Sequence, residues 1–483
     1  MNLKTILMIS FALQGAAAGC SGIKERTPSS VEIKPLSEIL SELSDALVEN
    51  KKNTQKCSEI FMSISNDLFM LSGEMSFNDY SDIPLIDKEI EKSFKARLAL
   101  KDSIKDQPIA TDCYNNKKMV FRSLKNIEDY LIGLRMEKSI NPSEEYTKLS
   151  GEFPYLLINP KFITTYKSAS DLKSGDILLS RESSHSQAFL SALAHGEHFY
   201  SQVSFIHQDP ISKETNVSMA FPEIGSVTPS LNEVLDIKNI RTSVFRYNNG
   251  YTAHEASSLI FQKIVKQNLS KDYIPYDFAF DLKDESRLSS TEIISSGFKN
   301  NIPMFKSNVT SGIKPILEIL GASGVEQILT PDDIQFDPRF ELVAEWTNPR
   351  KIEENRFMDL ILSKMFDRII KGSYQFDLTT PIEGEAKKLW LLRKTSIVRK
   401  YIEDLHPITM NSKQVELFMN VDKVGEEIFK ILEKRSLEFD RSMTLKEINL
   451  ALDNIFEEDF QAYKSYIQGQ DVVKPTFHLL FHP

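Results

Sequence analysis

Several things are scarce in this chain, and each scarcity excludes something. Basic charge is in deficit: 58 Lys and Arg stand against 68 Asp and Glu, a net charge of −10 over 483 residues. A nucleic-acid binder presents a basic face, so that class is set aside. Beyond the first eighteen residues there is no apolar run long enough to span a bilayer. No internal repeat is visible, and none of the histidine spacings matches a recognisable zinc pattern, although His185, His195, His198 and His207 fall close together. Cysteine is confined to Cys20, Cys57 and Cys113. What is present is ordinary for a globular protein, 41% hydrophobic and 26% charged. The length suits two or three domains, since single cores stop growing well before it.

The amino terminus reads as a targeting segment. A short basic start, residues 1–4, precedes a small and apolar stretch, 5–18, of secretory length. It ends in Ala17-Ala18-Gly19-Cys20, which resembles a lipobox with Ala17 at the usual leucine position. Residues 1–19 are thus expected to be a lipoprotein-type signal peptide, Cys20 the lipidated anchor, and 20–30 a polar tether. The alternative is an ordinary secretory signal with a chance cysteine. Either way the protein is expected to be exported to a bacterial cell envelope, facing the periplasm, with the membrane as a partner through Cys20.

Residues 31–140 carry four helical stripes. Leu36, Ile39, Leu40, Leu43 and Leu47 mark the first; Ile60, Phe61, Ile64, Leu68 and Leu71 the second. Ile86, Ile90, Phe94 and Leu98 mark the third; Phe121, Leu124, Leu131 and Leu134 the fourth. Spacings of three, four and seven place each set on one face, and short connections favour an antiparallel bundle. In such a bundle the second and fourth helices run parallel. Cys57 and Cys113 then lie at the same end and can pair as a disulfide; two buried free thiols are the other reading.

From about residue 165 the texture changes to α+β. A turn at 170–176 precedes the apolar run Ile177-Leu178-Leu179, and residues 200–207, 216–221 and 241–247 read as strands. Helical pieces fall at 188–195, 231–235 and 254–267. Residues 350–483 are helical again, with Thr444-Leu445-Lys446-Glu447 as a capping box.

Four ordered segments between 165 and 345 carry a resemblance. They are Leu172-Lys173-Ser174-Gly175-Asp176-Ile177-Leu178-Leu179, Tyr200-Ser201-Gln202-Val203-Ser204-Phe205-Ile206, Pro275-Tyr276-Asp277-Phe278 with Leu288-Ser289-Ser290-Thr291-Glu292-Ile293, and Thr330-Pro331-Asp332-Asp333-Ile334. Together they resemble the permuted papain-like amidases of the NlpC superfamily, the YiiX/YaeF/YebB-like group. The resemblance implies a permuted papain-like (NlpC-type) central domain at 165–345, flanked by the bundle and by C-terminal helices at 350–483. In that family a strand carries a His, and a later helix presents a nucleophilic Cys at its first turn. A Cys there has its thiolate favoured by the helix dipole, and the His takes and returns its proton.

In this chain the Cys position holds Ser290 and the His position holds Gln202. A hydroxyl needs a base more than a thiol does, and an amide cannot be one. A third family position falls near Met219, with Glu223 on the same strand parity beyond it. Ser289-Ser290-Thr291-Glu292 also reads as a capping box, with Ser289 as N-cap. Tyr276 and Asp277 are expected to support the approach to that helix and, with Glu292 and His198, to be the binding residues, while His185 and His195 lie in the segment expected to rim the cleft.

The expected function is therefore an exported, lipid-anchored protein whose amidase-type domain is catalytically inactive and binds a lipid, a peptide or a cell-wall fragment. The alternatives are an active hydrolase using Ser290 with a relocated base such as His198, and a purely structural envelope protein. No cofactor and no metal is called for, and no protein partner is identified.

Overall fold

The computed structural model describes residues 33–50, 56–75, 80, 82–105, 111–139, 146–194, 199–222, 224–237, 239–270, 272–299, 306–372, 375–378, 383–392, 410–439 and 441–482. The signal peptide, Cys20 and the tether lie outside these residues, as do His195, His198 and Glu223. All the described helices and strands belong to the unit Pro35–Pro483.

Among the described residues the first four helices are α1 (Leu36–Asn50), α2 (Cys57–Glu74), α3 (Ile83–Asp102) and α4 (Thr111–Glu137). The stripes Leu36/Ile39/Leu43, Phe61/Ile64/Leu68, Ile86/Ile90/Phe94 and Phe121/Leu124/Leu131 are all buried. Asp82 starts α3 by accepting the Leu85 N–H at 2.9 Å, with proline in the first turn, where its missing N–H costs nothing. Cys57 and Cys113, at the starts of α2 and α4, are joined as a disulfide with Cα atoms 5.5 Å apart. Helix α4 departs from a simple amphipathic pattern, because Lys117, Lys125, Glu128 and Asp129 on it are buried as well.

A seven-stranded antiparallel sheet follows, in the order β1-β9-β6-β2-β3-β4-β5. The strands are β1 (Leu156–Ile158), β2 (Asp176–Glu182), β3 (Gln202–Gln208), β4 (Thr215–Phe221), β5 (Gly225–Val227), β6 (Asn239–Tyr247) and β9 (Phe340–Thr347). Two short strands, β7 (Ser307–Asn308) and β8 (Gln327–Ile328), pair apart from it. Helices α5 (His185–Ala192), α6 (Leu231–Asp236), α7 (Gly250–Leu269), α8 (Glu292–Gly297), α9 (Lys314–Leu320) and α10 (Pro331–Phe336) fill the connections. The architecture is mixed α+β.

Side chains alternate across a sheet, and here the two faces meet different cores. Leu178, Ile206, Val217, Met219, Val244 and Trp346 face a smaller core with Tyr166 and Val234. Ile177, Leu179, Val203, Phe205, Ala220 and Phe245 face the larger one, which contains Ile260 of α7 and Ile293, Ile294 and Phe298 at α8. That larger core runs without interruption into the bundle and into the C-terminal helices α11 (Ile352–Ile370), α12 (Glu383–Leu392), α13 (Ser412–Ser436) and α14 (Leu445–Ile467). Helix α13 packs closely on α5: a Cβ at Gly425 would collide with the His185 ring. No helix among the described residues is long and apolar enough to cross a membrane.

The Gly175-Asp176 pair that opens β2 has a structural job. Gly175 has φ +91°, and a Cβ there would strike Ala253 of α7. The Asp176 carboxylate accepts the Lys173 N–H at 2.8 Å and both arms of the Arg246 guanidinium at 2.7 Å. It thereby closes the turn and ties β2 to β6.

Candidate functional site

Ser290 lies just before α8, in a segment locked from both sides. The Leu288 N–H donates to the Pro275 carbonyl at 3.0 Å, which closes the loop that begins at Tyr276. The Asp277 carboxylate is buried and accepts the N–H groups of Ala279 (2.9 Å) and Asp281 (2.7 Å), folding that loop on itself. The Tyr276 ring packs 4.8 Å from Phe278, and Phe278 lies 6.0 Å from Phe418 of α13. The approach to α8 is thus roofed by a C-terminal helix.

Half of the capping box forms. Glu292 accepts the Ser289 N–H at 2.6 Å, but the Ser289 hydroxyl meets the Thr291 hydroxyl at 3.3 Å instead of a helix N–H. Thr291, not Ser289, immediately precedes the first helical residue, and its hydroxyl donates to the Leu329 carbonyl at 2.9 Å. Burial, and then the negative charge of Asp277, push the Glu292 carboxyl up to about 8. Its Oε1 is buried without a donor. A proton kept on Glu292 and shared with Asp277 satisfies that atom.

Ser290 itself is 5% exposed. Among the described residues its hydroxyl has no hydrogen-bond partner, histidine included. Gln202 is also buried. Its amide donates to the Ala220 carbonyl at 3.1 Å and the Val203 carbonyl at 3.5 Å. As the first residue of β3 it shares the parity of Ser204 and Ile206, whereas α8 packs on the face of Val203 and Phe205, with Phe205 5.9 Å from Phe298. The structure therefore does not bring Ser290 and Gln202 together. Met219 is buried on the same face as Ile206.

The described histidines are engaged elsewhere. His207 lies on the α7 side, stacked 4.5 Å from Phe261 and 3.3 Å from the Ser258 hydroxyl, and burial followed by His254 lowers its pKa. His185 is lowered to about 4, by burial and then by Arg181. Among the described residues no group of three His, Cys, Asp or Glu side chains is placed to hold a metal. The recess beside Glu292, lined by Asp281, Leu288 and Ser296, has no volume for a water molecule.

A cavity large enough for a small ligand lies elsewhere. It measures about 320 Å³ and is bounded by α4, α5, α11 and the end of β2. Asp129, Tyr130, Arg181 and Arg356 supply polar groups to its wall. None of these residues belongs to a motif. They come from three separate stretches of the chain, and the one local signal is a run of charges on α4 and α11 at helical spacing beside the apolar stripe.

Comparison with known proteins returns no match: no family model fits the chain, and neither a curated protein nor a solved structure is significantly similar to it.

Proposed function

We infer that the chain is an exported protein of the bacterial cell envelope, held at the membrane by a lipid on Cys20, whose central region is a permuted papain-like domain without catalysis. Its role is to bind a lipid, peptide or cell-wall fragment. The observation that carries this reading is the state of Ser290: buried, with a hydroxyl that no base among the described residues touches. Serine becomes a nucleophile only when a neighbouring group removes its proton. The Gln202 amide adds support, because it is committed to strand carbonyls and, by strand parity, lies on the other face of the sheet from α8.

The test is labelling of the full-length protein with a fluorophosphonate, followed by peptide mass spectrometry. The reading predicts no adduct on Ser290. An adduct on Ser290 that Ser290→Ala abolishes would establish the hydrolase with a relocated base instead.

A further inference from the structure

We propose that the cavity along α11 binds a single-chain anionic amphiphile, with the acidic head at Arg356 and the aliphatic chain running toward Ile370. This deepens the ligand-binding part of the proposed function, but the site uses neither Ser290 nor Gln202.

The first observation is a charge without a partner. Arg356 lines the cavity with its guanidinium over the Tyr130 ring, 5.0 Å from the centroid. Among the described residues it makes no hydrogen bond and no ion pair. The carboxylates around the cavity are already taken. Asp129 holds Arg241 at 2.6 Å, Asp359 holds Arg181, and Asp367 holds Lys371 at 3.4 Å. Glu353, Asp129 and Glu137 attract Arg356 at longer range without closing an ion pair, and burial outweighs them. A half-buried cation left in this state is costly, and an anionic group delivered to it removes that cost.

The second observation is a second, more deeply buried cation at the same end of the cavity. Arg181 is 1% exposed and gives one nitrogen to Asp359, while its Nε and Nη1 have no acceptor. Buried guanidinium N–H groups are rarely left unpaired. Those two nitrogens have almost no exposed surface, so Arg181 adds fixed positive charge beside the cavity, and Arg356 marks that end as the place for an acceptor-rich anion, since a planar guanidinium suits carboxylate and phosphate alike.

The third observation is the shape and chemistry of the rest. Asn355, Arg356, Leu360, Phe366 and Ile370 all line the cavity from α11. At about 1.5 Å of rise per residue, Arg356 and Ile370 are on the order of 21 Å apart along the helix. A volume of about 320 Å³ spread over that length describes a narrow channel, at the small end of the range for ligand pockets. Beyond Asp359 the wall is mainly Leu360, Phe366 and Ile370, faced by Ala188 and Ala192 of α5. Thr310 also lines it, but its hydroxyl is already given to the Ala192 carbonyl at 3.3 Å. The charged groups Asp129, Arg181, Arg356 and Asp359 gather at one end, while the other end is mainly apolar, interrupted by Ser363 and by Asp367, whose carboxylate is engaged by Lys371; this distribution fits a head and a chain better than a peptide, whose backbone needs partners along its whole length.

The test is calorimetric titration of the full chain with dodecanoate, with dodecyl phosphate as the second acidic head, and with dodecyltrimethylammonium and dodecyl maltoside as controls. The expected result is one-to-one binding of dodecanoate, dodecyl phosphate or both, and no binding of either control. The tighter of the two acids identifies the head group. Arg356→Gln should weaken binding at least tenfold, Arg356→Lys less, and Ala192→Phe should block the corridor. Thermal melts of the three variants guard against misfolding. Failure of both acids to bind, equal binding of the cationic control, or unchanged affinity in Arg356→Gln would each overturn the proposal. A fluorophosphonate adduct on Ser290 would refute the non-catalytic reading without touching this one. Absence of binding with Ser290 unlabelled would refute this proposal and leave that reading standing.

Discussion

Replacing Glu292 by glutamine should make the protein more stable at neutral pH and flatten part of its pH profile. The carboxyl sits at about 8 in the folded protein against 4.5 as the ordinary value. Below the ordinary value both states are protonated and nothing is lost. As pH rises toward 8 the unfolded chain releases this proton while the folded chain keeps it, so stability falls. Each pH unit of difference corresponds to about 1.4 kcal/mol, which bounds the whole effect at roughly 5 kcal/mol. Integrated between pH 5 and 7, the loss is on the order of 2 kcal/mol. Glutamine has the same shape. Its oxygen can still accept the Ser289 N–H, which Glu292 holds at 2.6 Å, and its NH₂ can donate to Asp277 in place of the shared proton. Urea unfolding of both proteins at pH 5, 6, 7 and 8 isolates the site, because every other titrating group is common to the pair. The stability difference in favour of Glu292→Gln should widen steadily with pH. A constant offset across the series would refute the argument that Glu292 is held neutral.

Two further substitutions test the core. Arg97 is 1% exposed; its Nε donates to Glu128 at 2.8 Å and its Nη2 to Glu345 at 2.8 Å. Arg97→Met strands two buried carboxylates with Lys125, and urea unfolding should show a loss of about 3–5 kcal/mol, much of it recovered in Arg97→Met/Glu128→Leu. Burial alone would raise the Glu345 carboxyl, but Arg97 and Lys125 outweigh it and hold it at about 2. That share of stability is present above the ordinary value and lost as pH falls toward 2, so Arg97→Met should also lessen the acid sensitivity seen in unfolding at pH 3–5. The Cys57–Cys113 bridge closes a loop with a sequence separation of 56, worth roughly 4 kcal/mol in the chain-entropy account. The Cys57→Ala/Cys113→Ala protein should melt at a distinctly lower temperature than the oxidised parent, and an unchanged melting temperature would contradict a bridge in the folded protein.

Much of the layout was legible because it is local. The apolar stripes of α1–α4 set their buried faces. Strands read at 200–207, 216–221 and 241–247 appear at Gln202–Gln208, Thr215–Phe221 and Asn239–Tyr247. Other features depend on partners far along the chain. Strand β9 has an inward glutamate, Glu345, which breaks the usual alternation of apolar and polar residues. It is tolerated because Arg97 and Lys125, from the bundle, neutralise it. The same pairing explains why α4 buries charges that a single-helix pattern would leave in water. At the candidate site, the start of α8 could be read from Ser289–Glu292. The half-formed box and the proton held on Glu292 could not: the first follows from the Ser289 hydroxyl meeting Thr291, the second from burial and the charge of Asp277. The cavity at Arg356 was the least legible feature. Many separate segments of the chain, among them α4, α5, α11 and the end of β2, form its wall, and no spacing within any one of them announces it.

The non-catalytic account rests on Ser290, whose hydroxyl no base among the described residues touches, and it holds further that Gln202, which by strand parity faces away from α8, cannot act on it. It is tested most directly by the iodoacetamide alkylation rate, between pH 5 and 9, of Ser290→Cys alone and of Ser290→Cys/Gln202→His. A histidine within reach would form an ion pair with the thiolate and make it reactive well below its ordinary pKa. The account predicts that both variants react slowly below pH 7 and that Gln202→His adds nothing. Rapid alkylation at pH 6 in the double variant, absent from the single one, would contradict it.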